Sequence, residues 1–267
     1  MSSYHLKLIA IITMLIDHIG AVFISSWSNP QLYLLFRGIG RLSFPIFVFL
    51  IVEGFHHTRN VKKYLLRLGI FAFISELPFD LAFYYSRFGN SVMEDLKAVF
   101  VDGFQAKQMS VLLSRFGGYQ NIFFTLFLGL LLIYLLSLCD LKFQNNNMLS
   151  SLVDVILILA FCGIAMFLKT DYDAAGIILI VVFYLFRGRK LLLSGSLFLI
   201  CALMMSNITA FLSTGNILSV ISLFATFAMI PIAFYNGKKG KDVKYIFYIF
   251  YPAHLLILFV ISCVIWK

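Results

Sequence analysis

Apolar residues in this chain gather into long runs, not into the alternations of half-buried strands or the narrow stripes of surface helices. Most runs approach the roughly 20 residues that an α-helix needs to cross the hydrocarbon of a bilayer. They fall at roughly 6–25, 33–55, 64–85, 122–138, 152–168, 174–186, 191–205, 217–235 and 243–266. The run at 174–186 is the shortest. The pattern predicts an all-α integral membrane protein: a bundle of about nine transmembrane helices, one polytopic domain over residues 1–267, with no soluble domain.

Polar residues punctuate the runs unevenly. Arg59, Lys62, Lys63 and Arg67 follow the second run, Arg187, Arg189 and Lys190 the sixth, and Lys238, Lys239, Lys241 and Lys244 the eighth. All lie in even-numbered connectors, and loops rich in Lys and Arg stay in the cytoplasm. The N-terminus is therefore expected to be cytoplasmic and the C-terminus outside. The long third connector, 86–120, is then exoplasmic, and its stretch VMEDLKAVFVDGF suits a short interfacial helix. The first run is interrupted by Asp17-His18 and followed by no close small-x-small site, so it is expected to be retained and not cleaved as a signal.

Composition agrees with the pattern. Hydrophobic residues make up 61% and charged residues 12%, against about 25% charged in ordinary soluble domains. The net charge of +9 does not point to nucleic acid, because the cations sit in short connectors between apolar runs. Cys139, Cys162, Cys201 and Cys263 lie in or beside apolar runs without metal-like spacing. They read as small core residues, with neither disulfide nor zinc.

Charges inside the runs carry the chemistry, since each is costly in hydrocarbon unless paired or wetted. Lys7 and His18 are eleven residues apart, which returns them to within about 20° on one helical stripe, about 16 Å apart along the axis. Histidine suits proton transfer near neutral pH. Asp17 points about 100° away from His18, so a carboxylate from another helix, Glu76 or Asp80, is the better partner for its ring. Those two are i, i+4 around Pro78. Arg37 and Arg41, also i, i+4, lie in RGIGRLSFP. Gly38 and Gly40 allow close approach, and Pro45 should bend the helix just below. The two guanidiniums suit a carboxylate, a phosphate or a developing oxyanion, or an internal salt-bridge network. Glu53, His56, His57, Arg59, Lys62, Lys63 and Arg67 form a basic cytoplasmic vestibule suited to an anionic donor or to anionic lipid. Tyr248, Tyr251 and His254 recur at i, i+3, i+6 around Pro252 in the last run. Asn121, Thr125, Asp171 and Asp173 are weaker candidates. No nucleophile elbow, phosphate loop or metal-ligand cluster is present.

The stretches LKLIAIITMLIDHIGAVF, FRGIGRLSFPIFVFLIVEGFHHTRNVKKYLLRLGIFAFISELPFDLAFY, NIFFTLFLGLL, DYDAAGIILI and FYIFYPAHLLIL closely resemble the TraX family. That family is named for a conjugation protein that N-acetylates pilin. The chain is also distantly similar to transmembrane acyltransferases of the acyltransferase-3 type. Their first-span Arg-x10-His is matched in spacing by Lys7 and His18, with Lys replacing Arg. FPIFVFLIVEGF looks like their Phe-rich segment, with Glu53 in place of Ser, and YPAHL is similar to their last span.

The resemblance implies a multi-pass protein of the bacterial cytoplasmic membrane that uses acetyl-CoA as donor and no metal. The acceptor would be a peptide amine, pilin-like, or a glycan hydroxyl at the far side. His18 would be the general base, with Asp17, Glu76 or Asp80 as the supporting carboxylates. Arg37, Arg41, Glu53, His56, His57, Arg59, Tyr251, His254 and Lys7 would bind substrate or acyl-CoA. Two other functions suit the same residues: a proton-coupled transporter, which needs intramembrane His, Asp and Arg, and a non-enzymatic assembly factor of a conjugation or secretion system. The absence of a visible internal repeat favours the enzyme over the transporter.

Overall fold

Asparagine marks where helices begin. Asn29, Asn60, Asn121, Asn146, Asn207 and Asn216 each accept a backbone N–H two or three residues on, at 2.9–3.2 Å. A helix leaves its first N–H groups without partners, and hydrocarbon offers no water to replace them. A side-chain oxygen at the N-cap contributes about 1 kcal/mol.

The computed structural model describes residues 1–24, 26, 29–85, 118–241 and 244–265. Its helices are α1 (Ser3–Phe23), α2 (Pro30–Gly40), α3 (Ser43–His57), α4 (Val61–Asp80), α5 (Ile122–Lys142), α6 (Asn147–Phe167), α7 (Asp173–Leu185), α8 (Lys190–Leu203), α9 (Ile208–Thr214), α10 (Met229–Ala233) and α11 (Lys244–Ile265). A π-helical turn, Leu81–Tyr85, extends α4, and a 3₁₀-helix, Ile217–Ala228, precedes α10. An isolated bridge between Gln120 and Thr170 is the sole β pairing among the described residues. The expected interfacial helix, residues 92–104, and most of the 86–120 connector lie outside the described residues.

Among the described residues, five spans are long and apolar enough to cross a membrane: α1, α2 with α3, α5, α6 and α11. Counting α8 and α9, which meet at a 62° bend, as one makes six. The other expected runs are shorter or more polar. α4 carries Lys62, Lys63, Arg67, Glu76 and Asp80. α7, with 13 residues, reaches only about 20 Å of the roughly 30 Å hydrocarbon. The 3₁₀ stretch of 12 residues is kinked at Val220, whose φ of −119° and ψ of 17° are not helical, so it is not one straight rod.

Proline sets the breaks. Pro45 is the third residue of α3 and has no N–H to give the Arg41 carbonyl. α2 accordingly ends at Gly40, and the chain turns through Arg41 and Leu42. The break between the helices lies at the arginine, one turn before the proline. Pro78 sits near the end of α4, just before the ladder widens into the π turn.

The connectors sort into two ends. Ser3 N–H donates to Lys238 C=O at 2.9 Å, and Asn236 N–H to Met1 C=O at 2.9 Å. Arg187 pairs with Glu53 at the end of α3, and Lys190 Nζ donates to Ala233 C=O at 2.8 Å. The N-terminus and the cationic connectors thus share one lysine-rich end. At the opposite end Gln120 and the 169–171 turn exchange backbone hydrogen bonds of 3.0 Å. α1 and α11 run parallel, Lys7 over Phe247 and His18 against His254. A continuous apolar core, including Leu6, Ile46, Leu68, Leu130, Ile180 and Leu255, ties these helices together.

Candidate functional site

A cavity of about 550 Å³ reaches inward from the lysine-rich end. Lys7, His57, Arg67 and Lys239 line its outer part, and Phe123, Tyr248 and Tyr251 its inner part. The cations lie beside aromatic faces: Lys7 Nζ is 5.4 Å from the centre of the Phe247 ring, and the Arg67 guanidinium 5.6 Å from that of Tyr64. Such placement holds a charge at modest cost in a poorly hydrated site. Glu53 is the carboxylate along the wall, and it is 7% exposed. Arg187 grips it with two bonds, Nε to Oε1 at 2.6 Å and Nη2 to Oε2 at 3.2 Å, and His57 Nε2 stands 3.4 Å away. Arg187 neutralises Glu53, so the wall keeps a positive balance.

Behind the wall residue Tyr251 lies a histidine pair. His18 Nδ1 lies 2.7 Å from His254 Nε2, with the rings 6° from parallel. Tyr251, which lines the cavity, sets its ring 6.2 Å from that of His18 and 5.6 Å from that of His254. Phe83 packs edge-on against His18 at 5.0 Å. The Lys7–His18 stripe of α1 therefore faces α11 at both levels.

Of the two carboxylates expected beside His18, one is taken up elsewhere. Glu76 instead accepts from Asn121, at 2.5 Å from the side-chain amide and 3.2 Å from the backbone N–H. Asp80 is buried, and its Oδ2 makes no hydrogen bond among the described residues. The reason is facial: Glu76 on α4 looks toward the start of α5, whereas His18 looks toward α11. Asn121, a weak site candidate from sequence, is both a helix cap and the ligand of Glu76.

Asp17 points away from the pair, as its position on α1 requires. It binds Arg37 at 2.5 Å and lies 3.6 Å from Arg41. The arginines expected to bind a substrate anion are thus joined to a protein carboxylate. Glycine makes the approach possible: a Cβ at Gly40 would overlap the Asp17 side chain, and one at Gly20 would lie 2.6 Å from Phe36 Cβ. Gly38 faces Phe224 of the 3₁₀-helix.

Asp171 and Tyr172 approach Arg41 from the turn before α7. Burial pushes the Asp171 carboxyl up to about 6, against the pull of Arg41. Tyr172 and Asp173 have φ of 67° and 41°, a left-handed conformation that non-glycine residues rarely adopt. The turn is held by the Thr125 hydroxyl, which donates to the Asp171 carbonyl, and by the Tyr172 ring stacked on Phe44 at 3.8 Å.

Of the residues singled out from sequence, Lys7, Glu53, His57 and Tyr251 line the cavity, and His18 and His254 stand behind it. Asp17, Arg37 and Arg41 form a separate cluster, and Glu76 and Asp80 sit toward the end of α4. Arg59 is exposed, and His56, also exposed, stacks on Tyr184 at 5.7 Å. Sequence reasoning passed over Tyr64, Tyr235 and Lys239 as wall residues. Tyr64 had a signal, three residues before Arg67 on one helical face. Tyr235 and Lys239 had none, because they reach the cavity through the pinning of the N-terminus.

Comparison with known proteins gives two matches. The probable fimbrial assembly protein FimC, serogroup H1, of Dichelobacter nodosus is 46% identical over 80 residues, covering 29% of this chain and 31% of that protein. The match thus takes in less than a third of the relative's length. No solved structure matches. The family model for TraX protein matches residues 2–262, and by that match over nearly its full length the chain belongs to the TraX family.

Proposed function

We propose that this protein is a membrane-embedded acyltransferase. It would move an acetyl group from cytoplasmic acetyl-CoA to an amine, first a pilin-like peptide N-terminus, or to a glycan hydroxyl. The observation that carries the reading is the cavity, cationic at its outer end and aromatic within, whose wall residue Tyr251 packs against the rings of His18 and His254. In this reading the chain makes about nine crossings of the bacterial cytoplasmic membrane with its N-terminus inside. The shared position of the N-terminus and the cationic connectors supports that orientation.

The wall fits such a donor. Lys7, Arg67 and Lys239 would hold phosphate groups, and the apolar inner wall would receive an acyl-bearing arm. The donor supplies a thioester. His18 would take the proton of the attacking amine or hydroxyl as its nitrogen or oxygen bonds to the acyl carbon. The thioester C–S bond breaks, and the proton held by His18 returns to the departing sulfur. Such a direct transfer needs no covalent enzyme intermediate. Asp17, held by Arg37 and Arg41, would fix α1 so that His18 faces α11.

The test is incubation of the purified protein with isotope-labelled acetyl-CoA and pools of peptides and glycans, read by mass spectrometry. Labelled product that is lost in His18→Ala supports the transfer; an unlabelled pool rejects it. The name of the D. nodosus relative favours a second reading, a non-enzymatic assembly factor. It predicts that His18→Ala and Arg67→Ala leave pilus assembly intact.

A further inference from the structure

The histidine pair can be assigned proton by proton. His254 Nδ1 lies 2.7 Å from the Phe250 carbonyl, one turn earlier on α11. A carbonyl only accepts, so this nitrogen carries a proton, and in the neutral ring Nε2 then holds the lone pair. Nε2 is the atom that faces His18 Nδ1 at 2.7 Å. The proton between them therefore belongs to His18, whose Nδ1–H donates. The lone pair of the His18 ring is left on Nε2.

We propose that His254 is a positioning residue: it holds His18 as the Nδ1–H tautomer, so that Nε2 is the basic atom. The role in catalysis rests on His18 being the base of the proposed transfer; the tautomer does not. His254 is suited to the task because it is itself fixed. It is 5% exposed, its ring stacks on Phe250 at 4.7 Å, and Tyr251 packs against its edge. A base oriented through its second nitrogen usually leans on a carboxylate or a carbonyl. Here a neutral imidazole passes the orientation on from a backbone carbonyl. When His18 Nε2 gains a proton, the Nδ1–H bond to His254 strengthens, and the charge is shared between the two rings. The charges nearest on the α1 and α2 side, Arg37 and Arg41, are joined to Asp17.

The test is nitrogen NMR of full-length protein labelled with ¹⁵N in its histidine rings, held in lipid nanodiscs, with His18 assigned by the signals lost in His18→Ala. The expected spectrum gives His18 a protonated Nδ1 and an unprotonated Nε2. His254→Phe, which fills the space without an acceptor, should shift His18 toward the opposite tautomer. It should also lower kcat about 100-fold with KM for the donor unchanged. His254→Gln places an amide oxygen near the lost Nε2 and should restore the tautomer and most of kcat. An Nε2–H His18 in the wild-type protein overturns the proposal, as does an unchanged tautomer in His254→Phe. If His18 shows the expected tautomer but nothing is acetylated, the positioning stands and the transfer reading fails.

Discussion

Two groups of cations lie among apolar helices in this protein, and they are built for different ends. Arg37 and Arg41 converge on one carboxylate, Asp17, across an α1–α2 contact so close that Gly40 could not carry a side chain. Lys7, Arg67 and Lys239 line a cavity of about 550 Å³, and Lys7 and Arg67 rest against aromatic rings there. In the first group the charge is consumed in joining helices. In the second it faces a space that a ligand's phosphates can enter. Residue type alone does not separate the two; the cavity that the second group lines does. Inside the cavity, Glu53 is gripped by Arg187 and has His57 3.4 Å away.

Four substitutions or titrations bear on that contrast. Asp17→Ala leaves two partly buried guanidiniums without their carboxylate and should cost about 3–5 kcal/mol, measured as unfolding in detergent; a cost under about 1 kcal/mol would erase the distinction between the groups. Gly40→Ala forces α1 and α2 apart and should cost about 1–3 kcal/mol by the same assay. Arg67→Ala should change stability by no more than about 0.5 kcal/mol yet raise KM for acetyl-CoA about 10-fold, the equivalent of one charge-assisted phosphate contact. An unchanged KM would place the donor elsewhere. The smallest effect is a slope. Asp171 holds its proton up to about 6 in the fold against 3.8 in the free group. Between those values the folded state binds more protons than the unfolded one. Stability should therefore fall as pH rises from about 4 to about 6 and then level off. Asp171→Asn should flatten that slope in denaturant titrations.

Local features were legible in the chain. The eleven-residue spacing of Lys7 and His18 placed them on one stripe, and both do face α11. Gly38 and Gly40 signalled close approach. What the local pattern could not show is which stripe meets which helix. His18 and His254 are 236 positions apart, and no periodicity within α1 names α11 as its neighbour. For the same reason Glu76 was matched to His18 when it in fact meets Asn121. Hydropathy was equally blind to helix type: the run that becomes the 3₁₀-helix Ile217–Ala228 is as apolar as an α-helical one. Pro45 was expected to bend its helix; the structure shows a break at Arg41 and Leu42, beside the carbonyl that the proline leaves without a donor.

The most direct measurement is the initial rate of labelled acetyl transfer from acetyl-CoA to a pilin-like N-terminal peptide, by wild-type protein and by His18→Ala in the same lipid. The predicted result is transfer by the wild type and a rate lower by at least about 100-fold in the variant, with unfolding behaviour unchanged. Equal rates in the two proteins, or no transfer by either to peptide or glycan, would contradict the assignment of His18 and its cavity to acyl transfer.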